Sequence, residues 1–326
     1  MILITGGTGY IGRHLVSRLL EQKADIRVFA RRRSVEKVRA EEFVGDIADP
    51  VEVKNAIRSC DAVIHLAALR ARWHRQISEF ERVNVDGTRT VLEAAMQEGV
   101  KKFIHISTAM VLGPSHGKCK DESDDGSLLR FVSEYQRTKY LADRQAERYE
   151  KMGLPLITLF PGTTYGPSRF RGESTVTDIT LSFAGGHFVP CIGNGNMLRN
   201  LVYVESVVEG ILLALDKAKP RAKYILGGDN VSQIQLLDLV IELAGRDAAY
   251  RHVPLWTAKV AGWVFERIAP LTGKCPFSRA TVDWLSQEWM VSSEKAEREL
   301  GYRPLPLREG LRLTLAACLN VRNAVC

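Results

Sequence analysis

In the segment SEYQRTKYLAD, Tyr135 and Lys139 stand four residues apart. On a helix that spacing puts both side chains on one face. An ammonium beside a phenol stabilises tyrosinate and draws its pKa, ordinarily about 10, toward neutral pH. A phenol tuned in this way can give a proton to a carbonyl oxygen or take one from an alcohol. Ser107 and Thr108 close the apolar run KKFIHIST, and a hydroxyl there can hold a substrate oxygen beside Tyr135. Each signal alone is weak, because Y-x-x-x-K occurs on any exposed helix and Ser and Thr commonly end strands.

A second constellation, ITGGTGYIG, follows the apolar run ILIT and opens an amphipathic segment; it holds Gly6, Gly7, Gly9 and Gly12. Glycines between a strand and a helix let the backbone approach a pyrophosphate, and the helix N-terminus offers it free N–H groups. A bound dinucleotide is therefore expected. In the NAD-binding version of this unit an acidic residue ends the second strand and binds the ribose 2′-OH. Here Ala30 holds that place, followed by Arg31, Arg32 and Arg33. Guanidinium groups suit a 2′-phosphate. NADP is the expectation, with Arg31 as its contact and NAD as the alternative.

The elements that position these groups alternate through the first half of the chain. Strands are expected at 2–5, 25–30, 41–46, 61–68, 101–108 and 154–160, and helices at 10–22, 50–60, 83–99 and 133–153. Gly99 and Gly153 stop the last two helices. Continuous apolar strands between amphipathic helices predict a doubly wound parallel α/β sheet with its crevice at the strands' carboxyl ends. After residue 165 the alternation weakens. Helices are expected at 204–216, 233–245, 254–269 and 307–317, and KYILGG (223–228) reads as a strand returning to the main sheet. Residues 1–165 plus 201–228 form the expected dinucleotide domain, and 166–200 plus 229–326 a smaller, mostly helical substrate lobe.

With GDIAD, HLAA, NVDGT, HISTAMVLG and PGTTYGP added, the motifs resemble, in order and spacing, the extended short-chain dehydrogenase/reductase family over most of residues 1–167. YILGGDN and VSSEKAERELGYRP make the tail similar to the dihydroflavonol-reductase-like branch, nearest its hopanoid-associated and sterol-dehydrogenase-like bacterial members. The resemblance implies a Rossmann sheet. Cofactor contacts would come from Gly6, Gly9, Tyr10, Ile11 and Gly12, from Arg31, from Asp46 at the adenine, and from Ile47, Leu66, Ala67, Ala68, Ser107, Pro161 and Thr163. Thr108, Tyr135 and Lys139 would be the catalytic set, Lys139 also holding the nicotinamide ribose. Hydride would pass between NADP(H) and a carbonyl or secondary alcohol carbon. A homodimer through 84–98 and 134–152 is also implied.

The rival within the family is a nucleotide-sugar epimerase that recycles its cofactor. GNGNMLRNLVYVES sets Arg199 where such enzymes hold the substrate diphosphate, whereas Thr163 replaces their usual asparagine. Dehydration is not expected, since Ala109 and Met110 follow Thr108 where the 4,6-dehydratases carry Asp-Glu. A non-catalytic dinucleotide sensor is the third reading, and it has no need of Tyr135, Lys139 or Thr108.

Smaller signals complete the reading. The loop LRARWHRQ (69–76) offers Arg70 and Trp73 as substrate contacts, with Arg72, His74 and Arg75 beside them. His65 and His105 lie inside strands and read as core or cofactor-adjacent residues, so no metal is expected. Trp256, Trp263, Trp284 and Trp289 read as core, an apolar pocket being the alternative. The net charge of +7 is spread without a long basic run, which favours a small-molecule partner over nucleic acid. Six cysteines without a CxxC spacing, and no signal peptide, suggest free thiols and a cytoplasmic location. The apolar stretch 253–273 is broken by Lys259, Glu266 and Arg267 and is not expected to span a bilayer. Packing on the protein is its expected role, and lying on a membrane is the alternative.

Overall fold

Leu3 and Ile4 are neighbours in β1 (Ile2–Thr5), both are fully buried, and they enter separate core layers. A strand covered on both faces reads as such a continuous apolar run. The computed structural model describes residues 1–33, 40–71, 73–126, 130–187, 189–245, 250–273 and 275–325, with side chains through residue 317. Cys318 and Cys326 therefore lie outside the described side chains; Cys60, Cys119, Cys191 and Cys275 form no disulfide among the described residues.

Around β1 the chain builds β2 (Ile26–Ala30), β3 (Glu41–Val44), β4 (Ala62–His65), β5 (Lys102–Ile106) and β6 (Leu156–Pro161). Three short strands follow, β7 (Thr163–Tyr165), β8 (Pro190–Ile192) and β9 (Arg199–Tyr203). β10 (Lys223–Leu226) then pairs with β6. The result is a seven-stranded parallel sheet in the order β3-β2-β1-β4-β5-β6-β10. The strand order reverses between β1 and β4, which opens a crevice at their carboxyl ends. β11 (Asp229–Val231) and β7 flank β9, and β12 (Arg251–Val253) pairs with β8.

The helices are α1 (Tyr10–Glu21), α2 (Pro50–Ile57), α3 (Ser78–Glu81), α4 (Gly87–Gln97), α5 (Glu134–Lys151) and α6 (Thr175–Ala184). They continue with α7 (Val204–Lys217), α8 (Gln233–Ala244), α9 (Leu255–Thr272), α10 (Arg279–Leu285), α11 (Glu294–Leu300) and α12 (Leu307–Val325). On one face of the sheet α1 and α7 pack side by side and seal Leu15, Ile64 and Ile211. On the other, α2, α4 and α5 seal Ile57, Leu92 and Phe103. Each such side chain contributes about 1.5–3 kcal/mol by leaving water. α6, α8 and α12 close a third core around Tyr165, Phe183 and Leu237.

The ends of α2 and α5 are visible in their residues. Asp49 caps α2 by accepting the Val51 and Glu52 amides, with Pro50 in the first turn. Ser133 accepts the Gln136 amide and starts α5, and Gly153 follows it at φ +109°. The segment read from sequence as one helix over 83–99 holds the π-helical turn that begins at Arg82 and ends at Asp86, followed by α4, with α3 just before it.

Candidate active site

The glycine turn leaves no room for side chains. Gly6 sits at φ +73°, and a Cβ there would lie 2.6 Å from the Ala67 amide nitrogen. A Cβ on Gly12 would overlap the Gly6 carbonyl oxygen. The turn thus meets Leu66 and Ala67, at the end of β4, backbone against backbone. α1 begins at Tyr10 with no side-chain cap and no acidic residue in its first turn. Its first N–H groups remain free for an anion. The Tyr10 ring stands edge-on to His14 (centroids 5.7 Å apart), and its hydroxyl points toward Gly166. Ile11 packs into the core at the partly buried edge of α1.

At the far side, Arg31 follows β2 and is exposed, as are Arg32 and Arg33. Arg31 is near enough to Asp46 for their charges to interact. Partial burial alone would raise the Asp46 carboxyl; the Ala48 amide and the Arg82 guanidinium, 2.8 Å away, hold it below the usual range. Arg82 also forms a fork on Glu79 at 2.9 and 3.0 Å. Nothing in the sequence singled out Arg82, because the pair with Asp46 spans thirty-six residues. Ile47 is buried in the core and touches the space above Gly87, so its side chain supports α4.

The polar groups converge where β5 ends against α5. Thr108 caps a 3-10 turn (Ala109–Leu112), accepting the Met110 amide at 3.4 Å. Gln136 donates its amide to the Met110 carbonyl at 2.8 Å and accepts the Val132 amide. This bond locks the first turn of α5, which carries Tyr135, to the Thr108 turn. Lys139, buried, donates to the Ile106 carbonyl at 2.8 Å and has no second partner among the described residues. A buried ammonium with unspent donors fits the hydroxyls of a ribose.

The sequence expectation that Lys139 draws the Tyr135 phenol down is not what these side chains give. Burial raises the Tyr135 pKa, and the cation that opposes it is Arg70. Burial lowers Lys139, while Asp143, one helical turn further, works to keep it charged. Asp143, like Arg82, was not singled out by the sequence. Its carboxylate accepts the Ser107 hydroxyl at 2.7 Å and the His105 Nε2–H at 2.9 Å. The Ser107 hydroxyl is thereby committed to the core. His105 stacks on His65 at 5.8 Å. The Thr88 hydroxyl donates to the Asn84 carbonyl, so His65 Nε2 donates to Thr88 and Nδ1 accepts from Thr5. Burial holds His65 far below its ordinary pKa and therefore neutral. Among the described residues no cluster fit for a metal exists.

Asn84 joins the loop after β4 to α5. It accepts the Leu69 amide at 2.6 Å and donates to the Thr138 hydroxyl at 2.9 Å. Ala68 and Arg70 are exposed beyond it, Trp73 is partly buried, and Arg72 lies outside the described residues. Arg70 donates to the Glu173 carbonyl at 2.7 Å, and the Glu173 carboxylate takes both Arg13 nitrogens at 2.8 Å. Pro161 ends β6 and Thr163 opens β7, with Gly162 pressed against the Asn200 amide. Arg199 lies elsewhere, only 5% exposed, under the Trp284 ring at 4.8 Å. One nitrogen donates to the Leu285 carbonyl, Nε has no partner among the described residues, and burial pushes the pKa down to about 10.

Fold and cradle define a dinucleotide-binding α/β enzyme class. The chain belongs to the NAD-dependent epimerase/dehydratase family, whose model matches residues 2–227. It is 28% identical over 318 residues to a putative dihydroflavonol 4-reductase of Synechocystis, covering 94% of this chain and 91% of that one. It is 26% identical to the mouse sterol-4-alpha-carboxylate 3-dehydrogenase, decarboxylating, with 98% and 91% covered. Among solved structures, the dTDP-glucose 4,6-dehydratase DesIV of Streptomyces venezuelae, with NAD bound, superposes at a TM-score of 0.80. It is 26% identical, with 99% of this chain and 98% of that one covered.

Proposed function

We propose that this chain is an NADP(H)-preferring oxidoreductase acting on a carbonyl or secondary alcohol carbon of a small organic substrate. The observation that carries the reading is the lock between α5 and the Thr108 turn, which presents Tyr135, Lys139 and Thr108 at one edge of the crevice. The cradle a Cβ would fill at Gly6 and Gly12, and the unspent donors of Lys139, fit a dinucleotide. Bound there, the nicotinamide supplies or accepts the hydride. Gly6, Gly9 and the first amides of α1 take the pyrophosphate, Asp46 the adenine end, Arg31 the 2′-phosphate and Lys139 a ribose. Thr108 orients the substrate oxygen, and Tyr135 gives that oxygen its proton in reduction or removes it in oxidation. Two of the relatives carry names of this net redox kind, a 4-reductase and a 3-dehydrogenase.

Replacing Tyr135→Phe tests the reading. With NADPH oxidation followed against a panel of ring ketones, the variant loses about 100-fold or more in kcat with little change in NADPH binding. Unchanged turnover overturns it.

The epimerase reading draws on Arg199, whose buried Nε has no partner among the described residues. Trp284 covers that guanidinium, so contact with a diphosphate requires the ring to move. A nucleotide sugar epimerised without net cofactor change would favour this second reading.

A further inference from the structure

Helix α9 is turned inside out. The residues it sets against the protein are small: Ala258, Gly262 and Ala269 are buried, and a Cβ on Gly262 would lie 2.8 Å from the Arg279 amide nitrogen. The residues it turns outward are large. Seven of the thirteen exposed large apolar side chains among the described residues belong to this one helix. Trp256 is 70% exposed, Trp263 46% and Leu271 89%. With Val260 and Val264 they fall on an arc of about 100° at 3.6 residues per turn. The expectation that this segment's apolar face packs on the protein is corrected: the contact needs small residues, and the large ones are left uncovered.

Charge says what covers them. Between 251 and 273 the one acidic residue is Glu266, and it is committed to Arg279 at 2.7 Å. Arg267 stands within the outward arc, its guanidinium 5.3 Å from the Trp263 ring centre, with no carboxylate at ion-pair distance among the described residues. Arg251 precedes the helix and Lys259 borders the arc, paired with Asp283 at 2.9 Å. Tryptophans prefer the boundary between lipid headgroups and acyl chains, and basic residues among them favour anionic lipid. No described helix is long and apolar enough to cross a membrane. A second copy covering the same stripe would bury Arg267 without supplying a carboxylate from it.

We propose that α9 lies flat on an anionic phospholipid surface, with Trp256, Trp263 and Leu271 entering the headgroup boundary and Arg267 reaching a lipid phosphate. The proposal stands apart from the redox reading and does not depend on it. The test is co-sedimentation of the full chain with vesicles of phosphatidylcholine alone or mixed with phosphatidylglycerol. The expected result is binding to the mixed vesicles only, weakened by salt, with a blue shift of tryptophan emission. The double variant Trp256→Ser, Trp263→Ser should partition about tenfold less, and Arg267→Glu about fivefold less, with thermal midpoint and NADPH binding unchanged. Three results would overturn the proposal: no binding to the mixed vesicles, equal binding by the variants, or a solution dimer that the double variant converts to monomer. The last would show a second copy of the chain as the cover.

Discussion

Burial raises the Tyr135 phenol and Arg70 pulls it down, and burial dominates. The group therefore stays protonated through neutral pH, the form that donates a proton. Carbonyl reduction should stay level across neutral pH and fall in alkaline solution as the phenol ionises. Alcohol oxidation, which needs the tyrosinate, should rise with pH over the same range. Initial rates in both directions from pH 6 to 10 check the sign, and an oxidation rate that falls as pH rises would contradict it. One turn beyond Lys139, Asp143 carries two charge-assisted bonds, from His105 of β5 and from Ser107 just after it. Asp143→Asn should cost about 1.5–3 kcal/mol of stability, read by denaturant unfolding. That Tyr135 and Lys139 share one turn of α5 was legible in sequence, because spacing four is a helix neighbour relation. Asp143, Gln136, Asn84 and Arg82 were not, since their partners lie in other elements.

At the scale of elements, the inner strands β1, β4 and β6 could be read because burial on both faces writes them as nearly unbroken apolar runs, whereas the edge strand β3, EEFV, is exposed or half-buried along its length. The glycine stops of α4 and α5 were equally legible, at Gly99 with φ +66° and Gly153 with φ +109°. The strands β7, β8, β11 and β12 were hidden, being three residues each and too short to show a period. α9 was seen as a helix, but its orientation was not, because apolar periodicity says that a face exists and not which face is covered. In the proposed reading the glycine turn is the element whose shape matters most to dinucleotide binding. Gly6→Ala forces a side chain into a backbone at φ +73° and against the Ala67 amide. It should abolish dinucleotide binding and lower the thermal midpoint, which titration and thermal unfolding would show. Binding at the parent affinity would mean that the cradle is not where the pyrophosphate rests.

For the whole molecule, the two edges of the crevice are tied across the fold. Glu173 grips Arg13 of α1 with its carboxylate and Arg70 with its backbone carbonyl, so the loop before α6 closes over the glycine turn. The family is settled by the match across residues 2–227, and it contains reductases, epimerases and dehydratases on one architecture. A net reductase releases its cofactor after each turnover and an epimerase need not, and in the proposed reading Arg31 selects the dinucleotide. The most direct measurement is to identify the dinucleotide released on denaturing the purified protein, and then to titrate the emptied protein with NADPH and NADH. The account predicts reversible binding with at least about tenfold preference for NADPH, worth about 1.4 kcal/mol, and loss of that preference in Arg31→Ala. Protein that arrives holding NAD tightly, or an Arg31→Ala variant that keeps the preference, would contradict it.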